Sequence, residues 1–214
     1  MIQDSRMYGG KVGVYAFDAP RVVVRSTSME GMMVGVFDLY SPRLLVANSS
    51  IEETWNGIYA ETQSYGNAIV GNYLHNNVNG IIIEGRTNFV ARNTMIHNQI
   101  GMQVHGQYSL YWRNLIAFNS IGAESGALLP LNQVIANDFL ANRQAVSTQR
   151  WNVLHVWPSN FCSEALGMNF DGDCHLKRAY RPTGVVGSRL GTHQGARTLA
   201  RSLAVTLIRR LGNV

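Results

Sequence analysis

Asn72-Tyr73-Leu74-His75-Asn76-Asn77-Val78-Asn79-Gly80-Ile81-Ile82-Ile83 reads as two short apolar strands separated by Asn and Gly corners, and the pattern returns along the chain. Asn72, Asn93, Asn114 and Asn137 are spaced 21, 21 and 23, and Ser49 and Thr27 hold the equivalent places earlier. Two residues after each stands an apolar side chain: Met29, Ile51, Leu74, Met95, Ile116 and Phe139. Asn77, Asn98, Asn119 and Asn142 make another ladder in phase with the first. Gly13, Gly35, Gly57, Gly80, Gly101 and Gly122 recur at 22, 22, 23, 21 and 21, each followed by a strand-like segment. A fixed period of this length is the mark of a repeat architecture. Alternating apolar stretches with Asn or Gly corners give one turn of a parallel β-helix.

The sequence therefore predicts an all-β, right-handed parallel β-helix of about six or seven coils, each of roughly 22 residues. Coils about 4.8 Å apart make a rod on the order of 30 Å long. Asn and Gly are expected at the corners because they tolerate left-handed backbone conformations, and stacked Asn side chains bond along the ladder. The alternation excludes an α-solenoid, and the leucine spacing of a leucine-rich repeat is missing. Units are expected at 1–150 for the β-helix, 151–195 for an acidic-loop segment and 196–214 for a basic amphipathic α-helix.

Composition agrees with a core-forming chain. Hydrophobic residues make up 46% of the 214 and charged ones 14%, which excludes disorder. No apolar run reaches the 18 or so residues of a membrane span, and Met1-Ile2-Gln3-Asp4-Ser5 does not open a secretory signal. The net charge of +5 is unevenly placed. Residues 1–173 carry ten Lys/Arg and all thirteen acids, whereas 174–214 carry eight Lys/Arg and no acid. That tail suits an anionic surface, an acidic partner or lipid headgroups. A solvated basic tail is the plainer reading, and no nucleic-acid partner is expected.

Within the tail, Leu199, Leu203, Leu207 and Leu211 recur at i, i+4, flanked by Arg197, Arg201, Arg209 and Arg210. This stripe reads either as a partner-binding element or as a cap on the last coil, since solenoids need covered ends. The first coil has no capping element of its own. On the outward side of the post-glycine strand, Tyr15, Phe37, Tyr59 and Ile82 form an expected exposed stripe, a ligand surface, a partner interface or a stabilising stack.

Catalysis on a β-helix needs clustered carboxylates, or a general base beside a cation, on one outer face. The candidates are Glu61, Glu84, His105 and Arg86, which are sparse, so the chain is read as non-enzymatic. The alternative is a carbohydrate-binding or carbohydrate-active β-helix of lyase or epimerase type. For copper, eight Met and six His supply soft ligands, but no His-x-His cluster occurs. Met29 and Met95 read as core filling, as does Met102 of the pair Met102-x-x-His105.

After Arg150 comes a different signature: Asn160-Phe161-Cys162-Ser163-Glu164-Ala165-Leu166-Gly167-Met168-Asn169-Phe170-Asp171-Gly172-Asp173, then Ala179-Tyr180-Arg181-Pro182. With the repeat before it and the basic stretch after it, the chain resembles NosD, the β-helical periplasmic accessory proteins of nitrous oxide reductase maturation. The resemblance implies a periplasmic location and transient contact with copper. It implies as partners the membrane subunit of an ABC transporter and nitrous oxide reductase or a copper chaperone. Asn169, Asp171 and Asp173 match an acidic loop with calcium-type ligands at positions one, three and five. Cys174 replaces the loop glycine and Lys177 the later acid; Cys162 and Met168 replace a tryptophan pair. Cys162 and Cys174 read as a disulfide or as two free thiols.

Overall fold

The computed structural model describes residues 1–126, 132–148 and 160–162. These residues form three parallel sheets and no helix. The first sheet contains Ile2–Gln3, Val23–Arg25, Leu45–Ala47, Ala68–Val70, Phe89–Ala91, Leu110–Trp112 and Gln133–Ile135. The second begins at Arg6–Tyr8 and runs through Asp138–Leu140 to Phe161–Cys162. The third runs from Val12–Phe17 to Gln144–Thr148. Consecutive strands always fall in different sheets, and each pairs with its counterpart one turn away. That connectivity is a parallel β-helix of seven coils with one further strand begun.

The register follows the sequence ladders. Tyr15, Phe37, Tyr59, Ile82, Gln103 and Glu124 are successive Cα partners. Met29, Ile51, Leu74, Met95, Ile116 and Phe139 form a second column, pointing inward and buried. Val24, Val46, Ile69, Val90, Tyr111 and Val134 fill the core from the first sheet. The repeat continues past residue 150: Asp138 pairs with Phe161, and the Asn137 N–H donates to Asn160 Oδ1 at 2.8 Å. The 23-residue step from Asn137 to Asn160 places one more corner there.

The ladder Asn residues do more than turn the chain. Asn93 Oδ1 accepts the Asn72 main-chain N–H at 2.9 Å and the Asn72 Nδ2 at 3.0 Å. Asn93 Nδ2 in turn donates to the Ile69 carbonyl and to Asn114 Oδ1. Each buried amide thus joins two coils with its donors and acceptor used. The left-handed residues are their neighbours: Arg92, Arg113 and Ala136 have φ of 55°, 53° and 56°. The corner conformation is paid by whichever residue precedes the Asn, because the Asn itself must face inward to bond.

The six periodic glycines are also not left-handed. They are required by close approach: a Cβ on Gly35 would stand 2.6 Å from the Gly57 carbonyl oxygen, and one on Gly57 would stand 2.5 Å from that of Gly80. A third corner ladder, not apparent from the spacing of Asn alone, mixes residue types. Asn67, Asn88, Ser109 and Asn132 accept main-chain N–H groups from Leu44, Asn67, Asn88 and Ser109 in turn.

Candidate functional site

The outer face of the third sheet carries most of the residues with chemistry. Tyr15, Phe37 and Tyr59 stack ring on ring, with centroids 5.4 and 5.2 Å apart and planes within 18° and 24°. Phe17 joins Tyr15 at 6.0 Å and meets Tyr40 edge-on. The stripe fades along the rod: Tyr15 is 54% exposed, Phe37 and Tyr59 are half-buried, and Ile82 is only 6% exposed. Ile82 therefore departs from the expected exposed stripe. It is a short side chain between Tyr59 and Gln103 in register, and those longer neighbours flank it on both sides. Phe37 lies between two rings, and Tyr15 and Tyr59 each have a ring on one side, so this stack is a stabilising ladder first.

Beyond the rings lie Glu61, Glu84 and His105, on consecutive coils. The Tyr59 hydroxyl donates to Glu84 Oε2 at 3.0 Å, and the Thr62 hydroxyl donates to the same oxygen at 3.3 Å. Burial, followed by the Glu84 and Glu61 carboxylates, pushes the Tyr59 phenol up to about 12. Tyr59 is thus a fixed donor that orients Glu84. His105 Nε2 is buried and has no hydrogen-bond partner. Arg86 is not brought to the carboxylates; its guanidinium lies over the Tyr65 ring, 5.7 Å from the centroid. The row holds two carboxylates and an imidazole, and among the described residues no ion pair brings a cation to them.

Soft donors gather at one place in the first coils, where Met7 pairs with Met29 in register and the Met29 and Met32 sulfurs both stand within 3.2 Å of where a Cβ on Gly13 would lie. Met29, Met95 and Met102 are buried in the core, and His105 directly follows the strand Ile100–Val104 that holds Met102. On the second sheet His75 Nε2 stands 3.0 Å from Glu52 Oε2, with the Tyr73 ring 4.7 Å from the His75 ring. His97 stacks on Phe118. Among the described residues no three His, Cys, Asp or Glu side chains gather as metal ligands. The calcium-type residues Asn169, Asp171 and Asp173 lie outside the described residues. So do Arg197, Leu199, Arg201, Leu203, Leu207, Arg209, Arg210 and Leu211 of the tail.

Two other faces emerged only with the register. On the second sheet, Ile96, Leu115 and Ala117 form a small apolar cluster outside the core, with Tyr73, Phe118 and Leu140 packed against it. On the first sheet the outward rows are Leu45, Ala68, Phe89, Leu110 and Ala47, Val70, Ala91, Trp112. Both rows are apolar without interruption over four coils. A strand that is apolar on both sides reads in sequence as ordinary core, so only the pairing shows which half faces outward.

The fold and its faces define a parallel β-helix scaffold that presents surfaces, without an assembled acid–base–cation centre among the described residues. Residues 1–164 match the family described as periplasmic copper-binding protein (NosD), and the chain belongs to that family. Its members are periplasmic and copper-related by that description. No curated protein matches the chain. Among solved structures, a point mutant of the periplasmic alginate epimerase AlgG is similar at TM-score 0.60 and 20% identity, over 70% of this chain and 38% of that one. The A-module of the Azotobacter vinelandii mannuronan C-5 epimerase AlgE6 is similar at TM-score 0.65 and 10% identity, over 76% and 57%. At these identities the likeness is one of fold, and the chain spans between about two-fifths and three-fifths of those structures.

Proposed function

We propose that this chain is a non-enzymatic accessory protein in the copper-dependent maturation of nitrous oxide reductase, held on the membrane subunit of an ABC transporter. The observation that carries the reading is the family match over residues 1–164. Copper is cargo here, passed between partners that the solenoid holds, and the tail from 196 to 214 is the docking element. Eight cations without an acid after Asp173 favour an acidic or membrane-proximal partner. The test is co-purification with the transporter, read beside the copper content of the reductase. Removing residues 196–214 should abolish co-purification and lower copper loading while the β-sheet circular dichroism signal persists. If deletion unfolds the solenoid while changing Arg197, Arg201, Arg209 and Arg210 to Gln has no effect, the tail is only a cap.

A second reading, a polyuronate lyase or epimerase, is favoured by the row Glu61, Glu84, His105 and by the epimerase-like fold. It lacks a cation to stabilise charge beside the carboxylates. Turnover of polymannuronate that disappears on Glu84→Gln or His105→Ala would establish it in place of the accessory role.

A further inference from the structure

The outer face of the first sheet has no part in either reading. Its apolar strip runs from the strand Leu45–Ala47 to the strand Leu110–Trp112 and bears no acid. Arg43 and Arg86 precede its strands along one edge, and Arg92 and Arg113 follow them along the other; all four are exposed. None of the four forms an ion pair among the described residues. Arg92 and Arg113 instead hold their guanidinium carbons 5.6 and 4.4 Å from the Trp112 ring centroid. Such stacking keeps the charges at the level of the face.

From this juxtaposition, an uninterrupted apolar strip with unpaired arginines on both edges, we infer that the first sheet is a contact surface for an anionic lipid bilayer. The strip lies at headgroup level, Trp112 sits in the interface, and the arginines meet phosphates on both sides. A second copy of the chain would set arginine against arginine. The chain's own segment 174–214, with eight cations and no acid, is repelled in the same way. An acidic protein would satisfy the charge, but the strip measures about 15 Å along the rod by roughly 10 Å across. That is well short of the ~800 Å² per partner of a stable protein interface. A planar headgroup layer reaches both edges at once, and Trp, Tyr and Arg are the side chains that settle there. The inference stands apart from the copper reading, since it needs no transporter.

The test uses the full chain with Trp55, Trp151 and Trp157 changed to Phe, leaving Trp112 as the one fluorophore. The probe is vesicles of phosphatidylcholine with phosphatidylglycerol, against phosphatidylcholine alone. Trp112 emission should move to the blue, and brominated lipid should quench it, only with phosphatidylglycerol and less so at high salt. Each of Arg43, Arg86, Arg92 and Arg113 changed to Gln should weaken partitioning about fivefold, whereas Arg6→Gln and Arg143→Gln, on other faces, should have a smaller effect. If the Trp replacements perturb folding, co-sedimentation of the otherwise native chain with and without the four Arg→Gln changes gives the same comparison. Vesicle binding with Trp112 unshifted would mean that the tail alone holds the membrane, and would overturn the inference. Absence of binding would overturn it as well and return the face to a protein partner.

Discussion

Asp38 is the residue whose chemistry fits its place least. It sits at an inward position of the third sheet, between Ala16 and Ala60 in register, and is fully buried. Asn67 Nδ2 donates to its Oδ2 at 2.7 Å, and its Oδ1 has no partner. Burial raises its pKa, and hydrogen bonds from Ser64, Asn67 and Ser41 lower it only in part. With the folded pKa above the unfolded one, the native state binds the extra proton, so stability falls as pH rises through that window. Asp38 therefore destabilises the fold at neutral pH and ceases to do so near pH 4. Asp38→Asn should raise the urea midpoint at pH 7, by about 1–2 kcal/mol in stability, and remove the gain in stability that Asp38 brings as pH falls toward its unfolded value. A variant less stable at pH 7 would show that the carboxylate is better satisfied than its surroundings indicate. Tyr111 is a milder case, a buried phenol without a partner, its pKa pushed up by burial.

At the scale of the element, the glycine column and the Asn ladders hold neighbouring coils together by different means. The glycines let main chains approach, and the asparagines stitch them. Gly80→Ala would drive a Cβ into the Gly101 carbonyl, which is backbone and cannot swing aside. The cost should be about 1–3 kcal/mol, read as a lower thermal midpoint with the β-sheet spectrum retained. At Gly71 the demand is different, since φ is +68° and Asn48 Oδ1 would lie 2.6 Å from an added Cβ. The ladders predict a coupling pattern as well as a cost. Asn93 and Asn114 share a hydrogen bond at 3.0 Å, whereas Asn72 and Asn137 share no partner. In a double-mutant cycle to Ala, the first pair should be non-additive by about 0.5–3 kcal/mol and the second additive within roughly 0.5 kcal/mol. Equal coupling in both pairs would mean that the coils respond as one block.

Over the whole molecule, each coil touches only its neighbours, so the sequence period and the structural period are the same quantity. That is why the fold was legible. Asn72 to Asn137 and Gly13 to Gly122 mark the turns, and the columns they predict are the columns that pair. The same reading placed Tyr15, Phe37 and Tyr59 on one outer face, where they stack. It missed the corner from Asn67 to Asn132 because Ser109 interrupts the letter while preserving the hydrogen bond. It gave the glycines a turning role, whereas their need for space is set by a carbonyl one coil away. It counted Ile82 as exposed, since alternation tells which side a residue faces but not how tall its neighbours are. The sequence by itself determined the class of fold, the period and the register of its columns, because these depend on spacing along one chain. The tertiary structure alone decided the isolation of Arg86 from Glu84 and the arginine-edged face of the first sheet. Those depend on which side chains from different coils come to stand side by side, and on what lies between them.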